Sequence, residues 1–283
     1  MVRYKKNPLV SPVVKWVGGK RQLLKTIREH IPKKIDHYCE PFVGGGAVLF
    51  DLQPKKAIIN DLNSELMNVY SVIKNDVDEL ILDLKQHKNE ADYFYRLREL
   101  DRDKKKYNTL SDIEKASRII YLNKTCYNGL FRVNNAGEFN TPFGRYKNPN
   151  IVNERILKAV HSYFNQCNIS FHNEDYELIL ESLNKNACVY LDPPYDPLSD
   201  TSSFTGYNKG RFDKKEQKRL KNCCDSLDNK GIKFLLSNSS TEFIRDLYDG
   251  YEIIVVQAKR SINSVSNKRG QIDEVLIKNY DKK

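Results

Sequence analysis

Several things are scarce in this chain, and each shortage removes a class of protein. Its six cysteines (Cys39, Cys126, Cys167, Cys188, Cys223 and Cys224) form no C-x-x-C pair, and most sit in apolar or helical contexts. That excludes a disulfide framework and reads as reduced thiols in a cytoplasmic protein. The five histidines (His30, His37, His87, His161 and His172) show no metal-ligand spacing, so no metal is expected. No apolar run approaches the length of a membrane span. The basic start, Met1–Val10, has no apolar segment after it, so no signal peptide is expected. Internal repeats and low-complexity tracts are absent. Acidic residues are outnumbered, 37 against 47 basic, which leaves a net charge of +10 and a pI near 9.1. This balance points to a polyanionic partner, nucleic acid first, although a soluble basic protein can carry it too. Apolar residues make up 40% of 283 positions, enough for a sizeable core in one large domain or a domain with an insert.

The most informative stretch is Asp192-Pro193-Pro194-Tyr195. The apolar run Cys188–Leu191 before it reads as a buried strand. A residue before proline is pushed towards extended geometry, so Asp192 should stay extended at the strand's end. Two prolines then fix φ and remove two backbone donors. The product is a stiff turn showing a carboxylate, carbonyls without local amides, and an aromatic ring, at the sheet edge where open α/β folds bind ligands. An exocyclic amine on a base is a poor nucleophile because its lone pair is delocalised into the ring. Acceptors aimed at its two hydrogens localise that pair and stabilise the charge that develops on attack. Asp192 and the Pro193 carbonyl suit that task, and Tyr195 would stack on the base. The bland alternative is a strand ending in a Pro-Pro turn, with Asp192 as a cap.

Other stretches supply what that chemistry needs. In Lys15-Trp16-Val17-Gly18-Gly19-Lys20 two glycines precede a helical pattern over Arg21–His30, and Lys15 and Lys20 flank the chain's only tryptophan. Glycines there let backbone amides approach a ligand closely. The stretch reads either as a lid over a small zwitterionic ligand, with a lysine for its carboxylate, or as a Gly-Gly helix entry with a buried Trp. His37–Ala47 reads as strand, glycine turn and helix, and Ala57–Asn60 as a second strand ending at Asp61. This order is the nucleoside-binding half of a Rossmann-like sheet. Gly44 and Gly46 fit the dinucleotide fingerprint, but its third position is Leu49 and no basic residue sits in the turn. A nucleoside without pyrophosphate is the better ligand, with Asp61 on the ribose hydroxyls.

Residues 62–74 and 76–101 read as helical, Arg102–Lys106 as a solvated linker, and Ile113–Leu122 as a further helix. Thr125–Pro149 is rich in Gly, Asn, Pro, aromatics and Arg, and no core element accounts for it. Aromatics beside Arg132, Arg145 and Lys147 suit base-edge and phosphate contacts; an irregular surface loop is the alternative. The α/β pattern then resumes: strands at Asn168–Phe171, Cys188–Leu191 and Ile232–Leu236, helices at Asp175–Leu183, Phe212–Leu227 and Thr241–Tyr248, and a closing strand pair at Tyr251–Gln257 and Glu274–Asn279. Ser199–Gly210 reads as a polar loop and Ser237–Ser240 as the polar end of a strand. The connection Ala258–Gly270 holds Lys259, Arg260, Lys268 and Arg269 and no acid, and reads as phosphate-facing.

In this order, KWVGGK, EPFVGGG, the acid of INDLN, YNGLFRVN…GEFNTPFGRYKNP and DPPY together resemble the Dam-type family of DNA N6-adenine methyltransferases, over nearly the whole chain. DPPY alone also occurs in RNA methyltransferases. The resemblance implies a Rossmann-like α/β sheet with an inserted, mostly helical DNA-recognition domain: residues 1–75 as the cofactor-binding half, 76–158 as the insert, and 159–283 as the second half. It implies methyl transfer from S-adenosyl-L-methionine to adenine N6 in double-stranded DNA, in the sequence GATC. Trp16, Gly18, Gly19, Lys20, Glu40, Pro41, Phe42, Gly44, Gly46, Asp61, Asp175, Tyr176 and Asp192 would hold the cofactor. Asp192, Pro193, Pro194 and Tyr195 would carry the chemistry. Tyr127 (wedging into the stack), Asn128, Leu130, Arg132, Asn140 and Pro142 would read the site, with Arg145, Lys259 and Arg260 on the backbone. A restriction–modification member would have a cognate endonuclease as partner. Gly45-Gly46 stands where relatives often have Gly-Ala-Gly, and Phe131 is given no role. The competing readings are an RNA or protein-glutamine N-methyltransferase of the same fold and a non-catalytic DNA-binding relative.

Overall fold

The structure is a computed structural model that describes residues 6–197, 212–259 and 271–281. In chain order its elements are α1 (Leu24–His30), β1 (His37–Glu40), α2 (Ala47–Leu52), β2 (Lys56–Asn60), α3 (Ser64–Asn75), α4 (Val77–Leu84), α5 (Ala91–Glu99), α6 (Lys104–Asn108), α7 (Asp112–Thr125), α8 (Glu154–Gln166), β3 (Asn168–His172), α9 (Tyr176–Glu181), β4 (Ala187–Leu191), α10 (Lys214–Asn229), β5 (Lys233–Ser239), α11 (Glu242–Leu247), β6 (Glu252–Lys259) and β7 (Gln271–Lys278). The seven strands form one sheet in the order β3-β2-β1-β4-β5-β7-β6. β1 runs parallel to β2 and β4, and β4 parallel to β5; β7 is antiparallel to both β5 and β6. This is the Rossmann-like α/β sheet that the motif order implied. Chain order reverses at β1, between β2 and β4, and the carboxyl ends of strands at such a switch point are where open α/β sheets bind ligands.

The chain divides into two compact units. The second comprises Lys20–Phe42, Lys56–Asn60 and Glu174–Lys283. All five residues of β4 are buried, as expected of a parallel strand covered on both faces. Val189, Leu191, Phe234, Leu236, Val275 and Ile277 pack with Ile179 and Leu180 of α9 and Leu220, Cys224 and Leu227 of α10. β5 continues three residues past the expected end at Leu236, so Ser237, Asn238 and Ser239 are strand residues and buried.

The first unit comprises Met1–Gly19, Val43–Lys55 and Asp61–Asn173. Its core draws on Leu66, Val69, Tyr70 and Ile73 of α3, Ile119, Ile120 and Leu122 of α7, and Leu157, Val160 and Phe164 of α8. α7 starts at a capping box: Ser111 accepts the Glu114 amide while Glu114 accepts the Ser111 amide, which satisfies two amides that a helix start otherwise leaves open. Two helical expectations need correction. The segment 76–101 is interrupted between α4 and α5, where Tyr121 Oη donates to the Lys88 carbonyl at 2.8 Å. Arg102–Lys106 is exposed, as expected of a solvated charge run, but it is not a bare linker, since it runs into α6. Asp103 caps α6 by accepting the Lys106 amide at 3.1 Å, and Tyr107 anchors that helix in the core.

Arg118 of α7 is 2% exposed and pairs with Asp101 at 2.9 Å. Its Nε and Nη2 also donate to the Leu97 and Arg98 carbonyls at 2.7 and 2.8 Å, adding a second donor to each at the end of α5. Asp101 in turn accepts the Phe139 amide at 2.8 Å, which ties the following irregular segment to the helices.

Candidate active site

In the second unit β4 delivers Asp192 to the sheet's carboxyl edge. Lys20 Nζ lies 2.7 Å from Asp192 Oδ1, and Ser237 Oγ donates to the same oxygen at 2.9 Å. Both partners fall on Oδ1, and among the described residues none donates to Oδ2. Burial raises the Asp192 pKa above the usual carboxylate range, against the opposing pull of Lys20 and then of the Ser237 hydroxyl. Lys20 Nζ also sits 4.6 Å over the Tyr195 ring, and Tyr195 Oη donates to Glu274 Oε2 of β7 at 3.0 Å. Of the two proline carbonyls, that of Pro194 is taken by Gln217 Nε2 at 2.9 Å. Among the described residues none donates to the Pro193 carbonyl.

The end of β1 and the start of α9 form a second feature of this unit. Phe42, Tyr176 and Phe212 cluster, with Phe42 5.1 Å from Tyr176 and 5.9 Å from Phe212. Asn60 holds the adjoining backbone: Nδ2 donates to the carbonyls of Pro41 and Glu174, both at 3.0 Å, and Oδ1 accepts the Glu174 amide. Asp175 caps α9 through the Glu177 amide and receives both terminal nitrogens of Arg219, at 3.1 and 2.6 Å. Burial alone would push the Asp175 pKa up, but hydrogen bonds from Arg219 bring it below the usual range. The Arg219 guanidinium also stacks 4.9 Å over the Tyr176 ring. Glu40 is 2% exposed and accepts from Tyr38 Oη at 2.8 Å.

In the first unit the glycine turn is a close-fitting cradle. Gly44 and Gly46 have φ of +47° and +70°, the left-handed region that glycine enters without steric cost. A Cβ on Gly46 would lie 2.8 Å from the Phe50 ring, and one on Gly44 3.0 Å from Trp16 Cδ1. Gly18 also has positive φ, and Gly19 lies close against the Trp16 carbonyl. Asp61 braces the turn: Oδ2 accepts the Gly44 amide at 3.0 Å and Oδ1 the Asn63 amide at 2.9 Å. Burial raises its pKa despite those two donors.

The stretch 125–149 is partly core, contrary to expectation. Cys126, Phe131, Phe139 and Thr141 are buried, and isolated antiparallel bridges join Cys126 to Phe143 and Val133 to Phe139. Phe131, given no role from sequence, stacks on Trp16 with centroids 4.5 Å apart. The residues assigned to recognition lie on the other side of this division. Tyr127 is 58% exposed, Asn128, Arg132, Pro142 and Arg145 are exposed, and Leu130 and Asn140 are half-buried. Arg132 Nε donates to Asn140 Oδ1 at 2.8 Å. Asn128 takes a left-handed φ of 57°, and its carbonyl accepts from Lys15 Nζ at 2.6 Å. Lys259 closes β6. Arg260, Lys268, Arg269 and the loop Ser199–Gly210 lie outside the described residues.

Sequence reasoning missed Ser237, Asn238, Gln217, Arg219 and Glu274. Only the run of polar residues at 237–240 signalled any of them. The others are helix or strand residues whose contacts exist only after folding. Among the described residues no group of His, Cys, Asp and Glu could hold a metal ion, and no helix is long and apolar enough to cross a membrane.

Comparison with known proteins adds an independent line. The family model for the D12 class N6 adenine-specific DNA methyltransferases matches residues 16–262. The chain is 42% identical over 273 residues to the Type II methyltransferase M1.LlaDCHI of Lactococcus lactis subsp. cremoris, covering 96% of each chain. It is 45% identical over 291 aligned positions to the Type II methyltransferase M.MjaIII of Methanocaldococcus jannaschii, covering 96% of this chain and 99% of that one. It is 35% identical over 268 residues to the DNA adenine methylase of Escherichia coli K12, covering 93% of each.

Proposed function

The chain belongs to the D12 class of N6-adenine-specific DNA methyltransferases, and from that premise we propose that it methylates adenine N6 within GATC in duplex DNA, using S-adenosyl-L-methionine. The observation that carries the proposal is the arrangement at the end of β4. Asp192 has Oδ1 occupied by Lys20 and Ser237, while Oδ2 and the Pro193 carbonyl remain as acceptors for the two hydrogens of an amine. The methyl donor, when bound, supplies an electrophilic methyl group on a sulfonium. The chain's own residues do the rest: Asp192 and Pro193 hold the amine and stabilise the positive charge growing on N6, and Tyr195, fixed through Glu274 and Lys20, offers a ring for the base to stack on. Adenine N6 is out of reach inside the duplex stack, so the base is extruded to the site, with Tyr127 filling the gap. Placement then supplies much of the rate.

The residues fit the proposed cofactor in each unit taken by itself. The Gly44–Gly46 turn has no room for a side chain and no basic residue for a phosphate. Asp61 is anchored by two amides yet retains lone pairs for ribose hydroxyls. The Phe42–Tyr176–Phe212 cluster, with Asp175 held rigid by Arg219, suits an adenine ring and its exocyclic amine. Trp16, Gly18, Gly19, Lys20, Glu40 and Pro41 complete the set. On this reading the segment 76–158 serves target recognition, and the protein acts in the cytoplasm. The higher identities belong to the two relatives named Type II methyltransferases, which favours a partner endonuclease of the same specificity. Plasmid DNA incubated with the protein and S-adenosylmethionine should gain N6-methyladenine and resist a GATC-cutting, methylation-blocked nuclease. Methylation of RNA or of glutamine in its place would overturn the reading.

Arg132 is the proposed reader of guanine. Asn140 holds its Nε and leaves both terminal nitrogens to donate to guanine O6 and N7, a pattern no other base edge offers in the major groove. Arg132→Ala should narrow the preference for GATC over sites changed at the guanine by about 1–3 kcal/mol. Neutralising Lys259, proposed as a phosphate contact, should weaken all duplexes alike and flatten the salt dependence. Rates on GATC and its single-base variants at two salt concentrations separate the two. If Arg132→Ala slows every duplex equally, it contacts phosphate and not base.

A further inference from the structure

Among the acceptors of the turn Asp192–Tyr195 are two carboxylate oxygens and the carbonyls of Pro193 and Pro194. Its prolines have no amides, so nothing local decides which acceptors stay available. The buried end of β5 does. Ser237 and Asn238 are 0% exposed and Ser239 3%, polar side chains where a covered parallel strand would ordinarily carry apolar ones. Buried polar groups need partners, and most of these lie on residues 190–196. Tyr190 Oη and Ser237 Oγ are 3.1 Å apart. With Ser237 donating to Asp192 Oδ1 at 2.9 Å, Tyr190 is the donor to Ser237. Asn238 Oδ1 accepts the Asp196 amide at 3.1 Å, and its Nδ2 donates to Gln217 Oε1 at 3.1 Å. Gln217 of α10, itself 0% exposed, donates to the Pro194 carbonyl. Ser239 Oγ donates to the Asp196 carbonyl at 2.7 Å.

We propose that Ser237 and Gln217, the latter held by Asn238, are positioning residues that occupy Asp192 Oδ1 and the Pro194 carbonyl and so reserve Asp192 Oδ2 and the Pro193 carbonyl for the amine. The inference rests on the catalytic reading above. A fully satisfied buried network is rigid, and two acceptors must be held at fixed spacing to meet both hydrogens of one amine. Without Ser237 only Lys20 holds the carboxylate, which can then turn about its last bond and offer either oxygen. Without Gln217 the Pro194 carbonyl competes for the amine.

The test is single-turnover methylation of a GATC duplex across pH, with DNA and cofactor affinities measured in parallel, for Ser237→Ala and Gln217→Met. Charged and titratable groups facing Asp192 are Lys20, Tyr190, Tyr195 and, around them, Glu40 and Glu274; the variants alter none of them. Ser237→Ala should lower the rate about tenfold with both affinities within about twofold. Its acid limb should move to higher pH, because the carboxylate loses a donor that favours its charged form. Gln217→Met should lower the rate comparably without moving that limb, since a carbonyl does not titrate. Should either fold poorly, Ser237→Cys keeps the shape with a weaker donor and should show the same limb shift in smaller measure. Wild-type rate and wild-type acid limb in a folded Ser237 variant overturn the proposal, as does a rate loss matched by equal losses of both affinities. An inactive wild-type protein would instead overturn the functional reading itself.

Discussion

Asp192→Ala should lower the methylation rate by about a hundredfold or more in a protein that still folds and still binds DNA. The expectation follows from where the side chain sits. It is 18% exposed, at the end of a strand whose five residues are all buried, so the backbone that carries it does not depend on the carboxylate. What is lost is the acceptor that localises the amine lone pair, an interaction strongest in the transition state, so kcat and kcat/KM should fall together. Asp192→Asn keeps the shape and one acceptor oxygen but no charge and should fall between alanine and wild type. The wild-type rate should also decline as pH drops through an Asp192 pKa raised above the usual carboxylate range, because only the ionised form accepts both ways. Rate against pH for the three proteins, with DNA affinity by titration, checks all of this; near-normal turnover of Asp192→Ala would remove Asp192 from the mechanism.

Arg118→Ala should destabilise the first unit by about 3–5 kcal/mol, the usual cost of breaking a buried ion pair from one side. Arg118 satisfies Asp101 and two carbonyls at the end of α5, and Asp101 holds the Phe139 amide. Alanine would leave the buried Asp101 carboxylate with only the more exposed Arg102, at 3.2 Å, as a cation, and would take one donor from each of two carbonyls, leaving the Leu100 amide on Leu97 and Arg102 on Arg98. The damage should reach residues 130–141, because Phe139 and Phe131 pack edge to face at 5.6 Å and Phe131 stacks on Trp16. Urea unfolding should show the loss of stability, and amide exchange should quicken in that loop before it does in β4. A midpoint within experimental error of wild type would mean that water replaces the guanidinium at no cost.

The contrast between these two residues shows what could be read from sequence. Asp192 was legible because proline chemistry is local. The ring fixes φ and the missing amides fix what the turn can offer, whatever lies around it. The glycine turn was legible for the same reason, since Gly44 and Gly46 adopt backbone angles that few other residues tolerate. Apolar runs located β4 and the sheet, because a strand covered on both faces is ordinarily apolar. Arg118 gave no sign: one arginine in an amphipathic helix looks like any solvated charge, and its burial arises only when the end of α5, Asp101 and Tyr107 of α6 pack against it. Phe131 was passed over among exposed loop residues because aromatic content alone does not say which rings turn inward.

Sequence by itself determined the chemistry on offer: a carboxylate on a stiff turn, a turn without side chains, an acid after a strand, and a loop rich in arginine and aromatics. Those properties reside in single residues and their immediate neighbours. Tertiary structure alone decided which of the offered groups remain available. Ser237, Gln217, Lys20 and Arg219 lie far along the chain from the acceptors they occupy, on a different strand or helix in each case. A hydrogen bond of 2.9 Å between Ser237 and Asp192 depends on β4 and β5 pairing in one register. A one-residue slip would turn Ser237 to the opposite face of the sheet.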